Sequence, residues 1–154
     1  MTMLRKTFSF QAAITVRAPA VAIYDALLVA ENHLRLHPLI VAVRRLNEGE
    51  NPDAIRVEIT DHIRVLGLFH VVKKYEASFT GMERGRRLTF ETFTSPRIHV
   101  KSTITLSSGQ MDGETRVEES VQVEAPALLV GFVRKQIVAA HGEMLAKLKM
   151  LMEE

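Results

Sequence analysis

The segment PALLVGFVRKQIVAAHGEMLAKLKMLM, Pro126 to Met152, decides the fold. Its apolar residues Leu129, Val133, Ile137, Ala140, Met144, Leu148 and Leu151 recur at spacings of three and four, while Arg134, Lys135, Glu143, Lys147 and Lys149 lie mostly off that stripe. This is the pattern of one amphipathic helix, about 40 Å long at 1.5 Å per residue, opened by Pro126, whose missing N–H costs nothing in a first turn. A stripe of that length needs a large cover. The preceding chain reads mainly as strands, so the expected partner is an antiparallel sheet curved around the helix. Such a sheet often leaves an interior too wide for its own side chains to fill.

Working outward from the helix, the first strand is Thr7 to Arg17, with Phe8, Phe10, Ala12, Ile14 and Val16 on one face. Pro19 ends it. Val21, Ile23, Tyr24, Leu27 and Leu28 mark a short helix, and a second runs from about Glu31 to Leu36, stopped by Pro38. Six strands follow. Ile40 to Leu46 leads through a polar turn, Asn47 to Asp53, to a strand with Ile55, Val57, Ile59, Ile63 and Val65 on one face. A tip of Leu66, Gly67 and Leu68 returns it to Phe69, Val71, Tyr75, Ala77 and Phe79, a register that sets Asp61 opposite Lys73. Leu88, Phe90 and Thr92 pair with Ile98, Val100 and Ser102 across a turn at Ser95 and Pro96, and the last strand turns Val117, Glu119, Val121 and Val123 inward. The class is α+β, a seven-stranded curved antiparallel sheet around a long C-terminal helix with two short helices after the first strand.

Composition excludes several chemistries. The 154 residues, 47% apolar and 25% charged, read as a single globular domain over 1–154. With no cysteine there is no disulfide, thiolate metal site or cysteine nucleophile. The balance of 20 basic and 18 acidic residues, with basic pairs scattered and few aromatics, argues against nucleic acid as a partner. No run reaches the ~18 apolar residues of a membrane span, so a cytoplasmic location is expected. Serine-nucleophile, phosphate-loop and dinucleotide motifs are missing, and no cofactor is expected.

The order of elements, the His37–Pro38 corner after the second short helix, and the Glu124–Ala125–Pro126 lead into the final helix resemble the SRPBCC superfamily. That group includes START lipid-transfer domains, polyketide cyclases and dehydrases, and the birch-pollen-allergen proteins. The resemblance implies a helix-grip fold enclosing a cavity for a hydrophobic ligand. It also implies a mouth formed by the His37 corner, the Leu66–Leu68 tip, the Ser95–Pro96 turn and the start of the final helix. Leu66, Leu68, Phe69, Leu128, Leu129 and Phe132 near that mouth would suit ligand passage or transient contact with a membrane or protein, unless the tip folds down into its own doorway. One departure is visible. The Asn47–Asp53 turn holds a single glycine, Gly49, and lacks the glycine-rich loop of the plant allergen branch.

Asp61, Lys73, Glu119 and His141 fall on faces that are otherwise apolar, where a charge is costly unless paired. Asp61 and Lys73 are expected to pair with each other. Glu119, opposite Ile104, is expected to reach water, take a raised pKa, or contact His141 from the helix above. A carboxyl and an imidazole in an apolar pocket could serve as acid and base, as in the cyclase branch, or orient a ligand, or simply satisfy each other within the wall. The leading expectation is binding or transport of a lipid, polyketide, quinone or sterol-like molecule, with Phe10, His37, Asp61, Leu66, Phe69, Lys73, Tyr75, Phe90, Val100, Glu119, Phe132, Ile137 and His141 as the ligand-facing set. The alternatives are a cyclase or dehydratase using Glu119 and His141, and a ligand-free interaction module. His33 and His37, four apart, have a spacing that can hold a metal ion, but Leu34 stands where the zinc-protease glutamate would be, and no third ligand is near. His33 therefore reads as exposed, His37 as packing in the corner, and His62, His70 and His99 as outward. Gly142 costs the helix about 1 kcal/mol relative to alanine, which suggests a close approach or a bend there.

Overall fold

A computed structural model of the chain describes residues 4–46, 54–65 and 67–154. The elements in order are β1 (Arg5–Val16), α1 (Ala20–Leu28), a 3-10 turn (Ala30–Asn32), α2 (His33–Leu36), β2 (Ile40–Arg45), β3 (Ala54–Val65), β4 (Phe69–Glu83), β5 (Arg87–Thr94), β6 (Ile98–Ser108), β7 (Thr115–Pro126) and α3 (Val130–Met152). The Asn47–Asp53 turn and Leu66 lie outside the described residues.

The strands form one seven-stranded sheet in the order β1-β7-β6-β5-β4-β3-β2, every neighbour antiparallel. Alternation does most of the positioning. Along β7 the odd residues Val117, Glu119, Val121 and Val123 are buried and the even residues face outward. In β3 and β4, Asp61 stands opposite Lys73 and Ile59 opposite Tyr75, as the odd-numbered pattern requires. The sheet curves over α3, which packs against β1, β7 and α2. Val16, Ile23, Leu27, Leu36, Leu88, Ile104, Val117, Met144 and Leu148 form the closed end of the interior, all of them fully buried. A smaller cluster, Val121, Val123, Ala125 and Val133, sits under the first turns of α3 with Phe8, Phe10 and Ile137 against it.

Two local expectations change. The long helix starts at Val130, not Pro126, because Pro126 is the last residue of β7 and pairs with Arg5, and the chain then turns through a Leu129 N–H to Pro126 C=O bond of 2.9 Å. Gly142 faces open space, so no close approach by a neighbouring side chain explains it. The glycine that does permit an approach is Gly81 on β4, where an added Cβ would collide with the hydroxyl of Tyr24 from α1. No helix among the described residues is long and apolar enough to cross a membrane.

Candidate functional site

Between α3 and the open half of the sheet lies a cavity of about 200 Å³. Its wall is mainly apolar: Leu39, Ile40, Ile59, Ile63, Phe79, Phe90, Ile98, Val100, Phe132, Val133, Ile137 and Ala140. Phe132, which lines it, is 45% exposed, so the interior meets solvent beside the first turn of α3. Leu68 and Phe69 are 80% and 63% exposed and do not fold down to plug that end.

Polar side chains gather in two places. On the α3 side, the Glu119 carboxylate is wholly buried. Its Oε2 accepts hydrogen bonds from Ser102 Oγ at 2.5 Å and from His141 Nδ1 at 2.9 Å, while Oε1 is buried with no hydrogen-bond partner. The His141 ring meets Phe10 edge-on at 5.9 Å and His37 edge-on at 5.6 Å. His37 is held well below the ordinary histidine range, first by burial and then by the neighbouring His141, His33 and Lys147. It therefore stays neutral near pH 7.

On the β3–β4 side, Tyr75 donates its hydroxyl to Asp61, 3.1 Å from each carboxylate oxygen. Burial raises the Asp61 carboxyl to about 6, against a smaller opposing effect of the Tyr75 hydrogen bond, and burial with the adjacent Asp61 pushes the Tyr75 phenol well above its usual value. The expected Asp61–Lys73 ion pair does not form. Lys73 Nζ reaches instead toward the Ser95 carbonyl at 3.4 Å in the β5–β6 turn, because a long flexible stem lets the ammonium leave the wall.

Of the sequence-derived set, His37, Asp61, Lys73, Tyr75, Phe90, Val100, Phe132, Ile137 and His141 line the cavity together. Phe10 and Glu119 do not, since both stand behind His141 in the wall. Phe69 points to solvent, and Leu66 lies outside the described residues.

The sequence reading missed His33, which is 1% exposed rather than solvated. Its Nε2–H donates to the Leu27 carbonyl at 2.8 Å near the end of α1, and its ring stacks on Phe79 at 4.6 Å and meets Phe90 edge-on at 5.1 Å. Burial lowers its pKa, with the Leu27 bond and the Glu119 charge opposing. The signal was present: Ala30, His33 and Leu36 recur every three residues, and all three are buried. Ser102, Gln136 and Thr92 also line the cavity unforeseen. The outward placement of His62 and His70 agrees with the alternation, and His99 is bonded to Glu91 at 2.7 Å. Among the described residues no three His, Asp or Glu side chains converge as a metal site.

Several solved structures share this fold. The di-domain ARO/CYC BexL from the BE-7585A biosynthetic pathway superposes with a TM-score of 0.75 at 18% identity, covering 96% of this chain and 50% of that one. The chain thus spans half the length of that di-domain protein. The Zhui aromatase/cyclase from Streptomyces sp. R1128 gives 0.68 at 15% identity over 93% of this chain and 94% of that one. Truncated norcoclaurine synthase from Thalictrum flavum gives 0.70 at 15% identity over 98% and 96%. These are SRPBCC helix-grip proteins, and the chain has their fold. No curated protein matches the sequence. Residues 4–154 match the family described as a domain of unknown function, DUF7053, and the chain belongs to it.

Proposed function

We propose that this DUF7053 protein binds an apolar small molecule of one or two rings in the cavity beneath α3. The observation that carries the reading is the cavity itself, about 200 Å³ of continuous space walled by aliphatic and aromatic side chains with a few polar groups. That is smaller than the ~300–1,000 Å³ of drug-sized sites, which favours a compact ring system over a long acyl chain. Each CH₂-sized group taken from water contributes about 0.8 kcal/mol, and His141, Ser102, Asp61 and Tyr75 orient what the apolar wall retains.

Ala140 faces this space from α3. Replacing it by phenylalanine fills the cavity from a position where the added ring has room. Ala140→Phe is expected to weaken binding of the neutral two-ring fluorophore 2-methoxynaphthalene at least tenfold while leaving the far-UV circular dichroism unchanged. Equal affinity in both proteins would overturn the proposal.

The buried Glu119–His141 bond favours a second reading, in which the pair moves a proton in a cyclase- or dehydratase-type reaction on the bound molecule. Under that reading Glu119→Gln loses turnover and retains binding. Unchanged turnover would remove it.

A further inference from the structure

The two nitrogens of His141 face different surroundings. Nδ1 lies 2.9 Å from Glu119 Oε2, and Glu119 stands behind the cavity wall, while the His141 ring itself forms part of that wall. The outward directions at Nδ1 and Nε2 of an imidazole diverge widely, so with Nδ1 on Glu119 behind the wall Nε2 is turned away from the carboxylate, on a ring that lines the cavity. The tautomer follows from what Oε2 receives. The Ser102 hydroxyl, at 2.5 Å, and His141 Nδ1 converge on that one oxygen, which is a carboxylate oxygen accepting two donors. Nδ1 therefore carries the proton, and in the neutral imidazole Nε2 presents a bare lone pair.

An acceptor in an apolar wall is expensive unless a donor meets it. Three of the wall donors are already engaged. Ser102 gives its proton to Glu119, Tyr75 gives its proton to Asp61, and His33 Nε2–H is bonded to Leu27. Neutral His37 meets His141 as a ring contact. A hydrocarbon occupying the cavity would leave Nε2 without a partner, and a ligand with a hydroxyl at that point would supply one.

We propose that the molecule bound here carries a hydroxyl, phenolic or enolic, that donates to Nε2 of His141, with Glu119 as the positioning residue that fixes the tautomer. If the proton transfers, the ligand O–H bond breaks, its electron pair stays on oxygen, the proton resides on Nε2, and the Glu119 carboxylate lies beside the resulting imidazolium. This inference rests on the cavity-binding proposal and names the chemical class of its ligand.

The test compares naphthalene, 2-methoxynaphthalene and 2-naphthol on the wild-type protein by isothermal titration calorimetry. Naphthalene is the most apolar of the three, so burial alone ranks it first. The hydroxyl contact instead makes 2-naphthol bind at least tenfold tighter than either, a difference of about 1.4 kcal/mol. In His141→Phe the ratio between naphthol and naphthalene falls to about one. Glu119→Gln lowers the same ratio and shifts the pH profile of 2-naphthol binding. Equal binding of all three by wild type overturns the hydroxyl inference and leaves the cavity proposal standing. Binding of none overturns both. The wild-type series needs no variant to fold.

Discussion

Asp61 sits in the cavity wall with its carboxyl raised from an ordinary 3.8 to about 6 by burial. The folded state thus holds the Asp61 proton more tightly than the unfolded chain does. The associated stability is complete below about pH 4 and is lost as pH rises through about 6. Asp61→Asn has no charge to bury and keeps an oxygen for the Tyr75 hydroxyl. It is expected to exceed the wild type in stability by about 1–3 kcal/mol at pH 8, a range that allows for partial solvent screening, and to match it at pH 4. Urea unfolding at the two pH values checks this, and an offset that does not change with pH contradicts it. Glu119 carries the opposite prediction. Glu119→Leu removes the acceptor of both Ser102 and His141 and should cost about 1–3 kcal/mol, read from the same urea curves. The sequence placed all these residues on the right faces, because alternation and register fix where each Cβ points. It did not place their side-chain ends. Lys73 opposes Asp61 at the backbone yet extends to Ser95, and no periodicity reports where a four-carbon stem will rest.

Among the elements, α1 depends on a missing side chain in β4. Tyr24 packs over Gly81 so closely that a methyl group there would overlap its hydroxyl. Gly81→Ala should lower stability by about 1–3 kcal/mol through forced displacement of α1, seen as a lower midpoint in thermal unfolding, and Gly142→Ala should not lower it. Gly142 meets nothing and sits in a helix that alanine favours. Sequence reasoning singled out Gly142 and passed over Gly81, since a glycine in a helical pattern is conspicuous and one near a strand end is not. The start of α3 was misplaced for a related reason. Ala127, Leu128 and Leu129 suit a helix as well as a turn, and it is the tertiary pairing of Pro126 with Arg5 across β7 and β1 that delays the helix to Val130. His33 shows the converse, a local spacing of three with Ala30 and Leu36 that was sufficient to place it inside.

At the scale of the whole molecule, the hairpins from β3 to β7 were legible because each joins neighbours in sequence, and their registers follow from face matching. The pairing of β1 with β7, which seats the first strand beside the last, joins residues from 99 (Val16 and Thr115) to 121 (Arg5 and Pro126) apart and leaves no local trace. The cavity was no more legible. Ile59, Phe90, Val100 and Ile137 would be written the same way in a filled core, and it is the span between α3 and the curved sheet that leaves about 200 Å³ open among them. That space is the centre of the account. Native mass spectrometry of the protein, purified without detergent and mixed with one equivalent of 2-naphthol, tests it most directly. The account predicts a one-to-one complex in the wild type and mostly bare chain in Ala140→Phe. Bare chain in both, or equal occupancy in both, would contradict it.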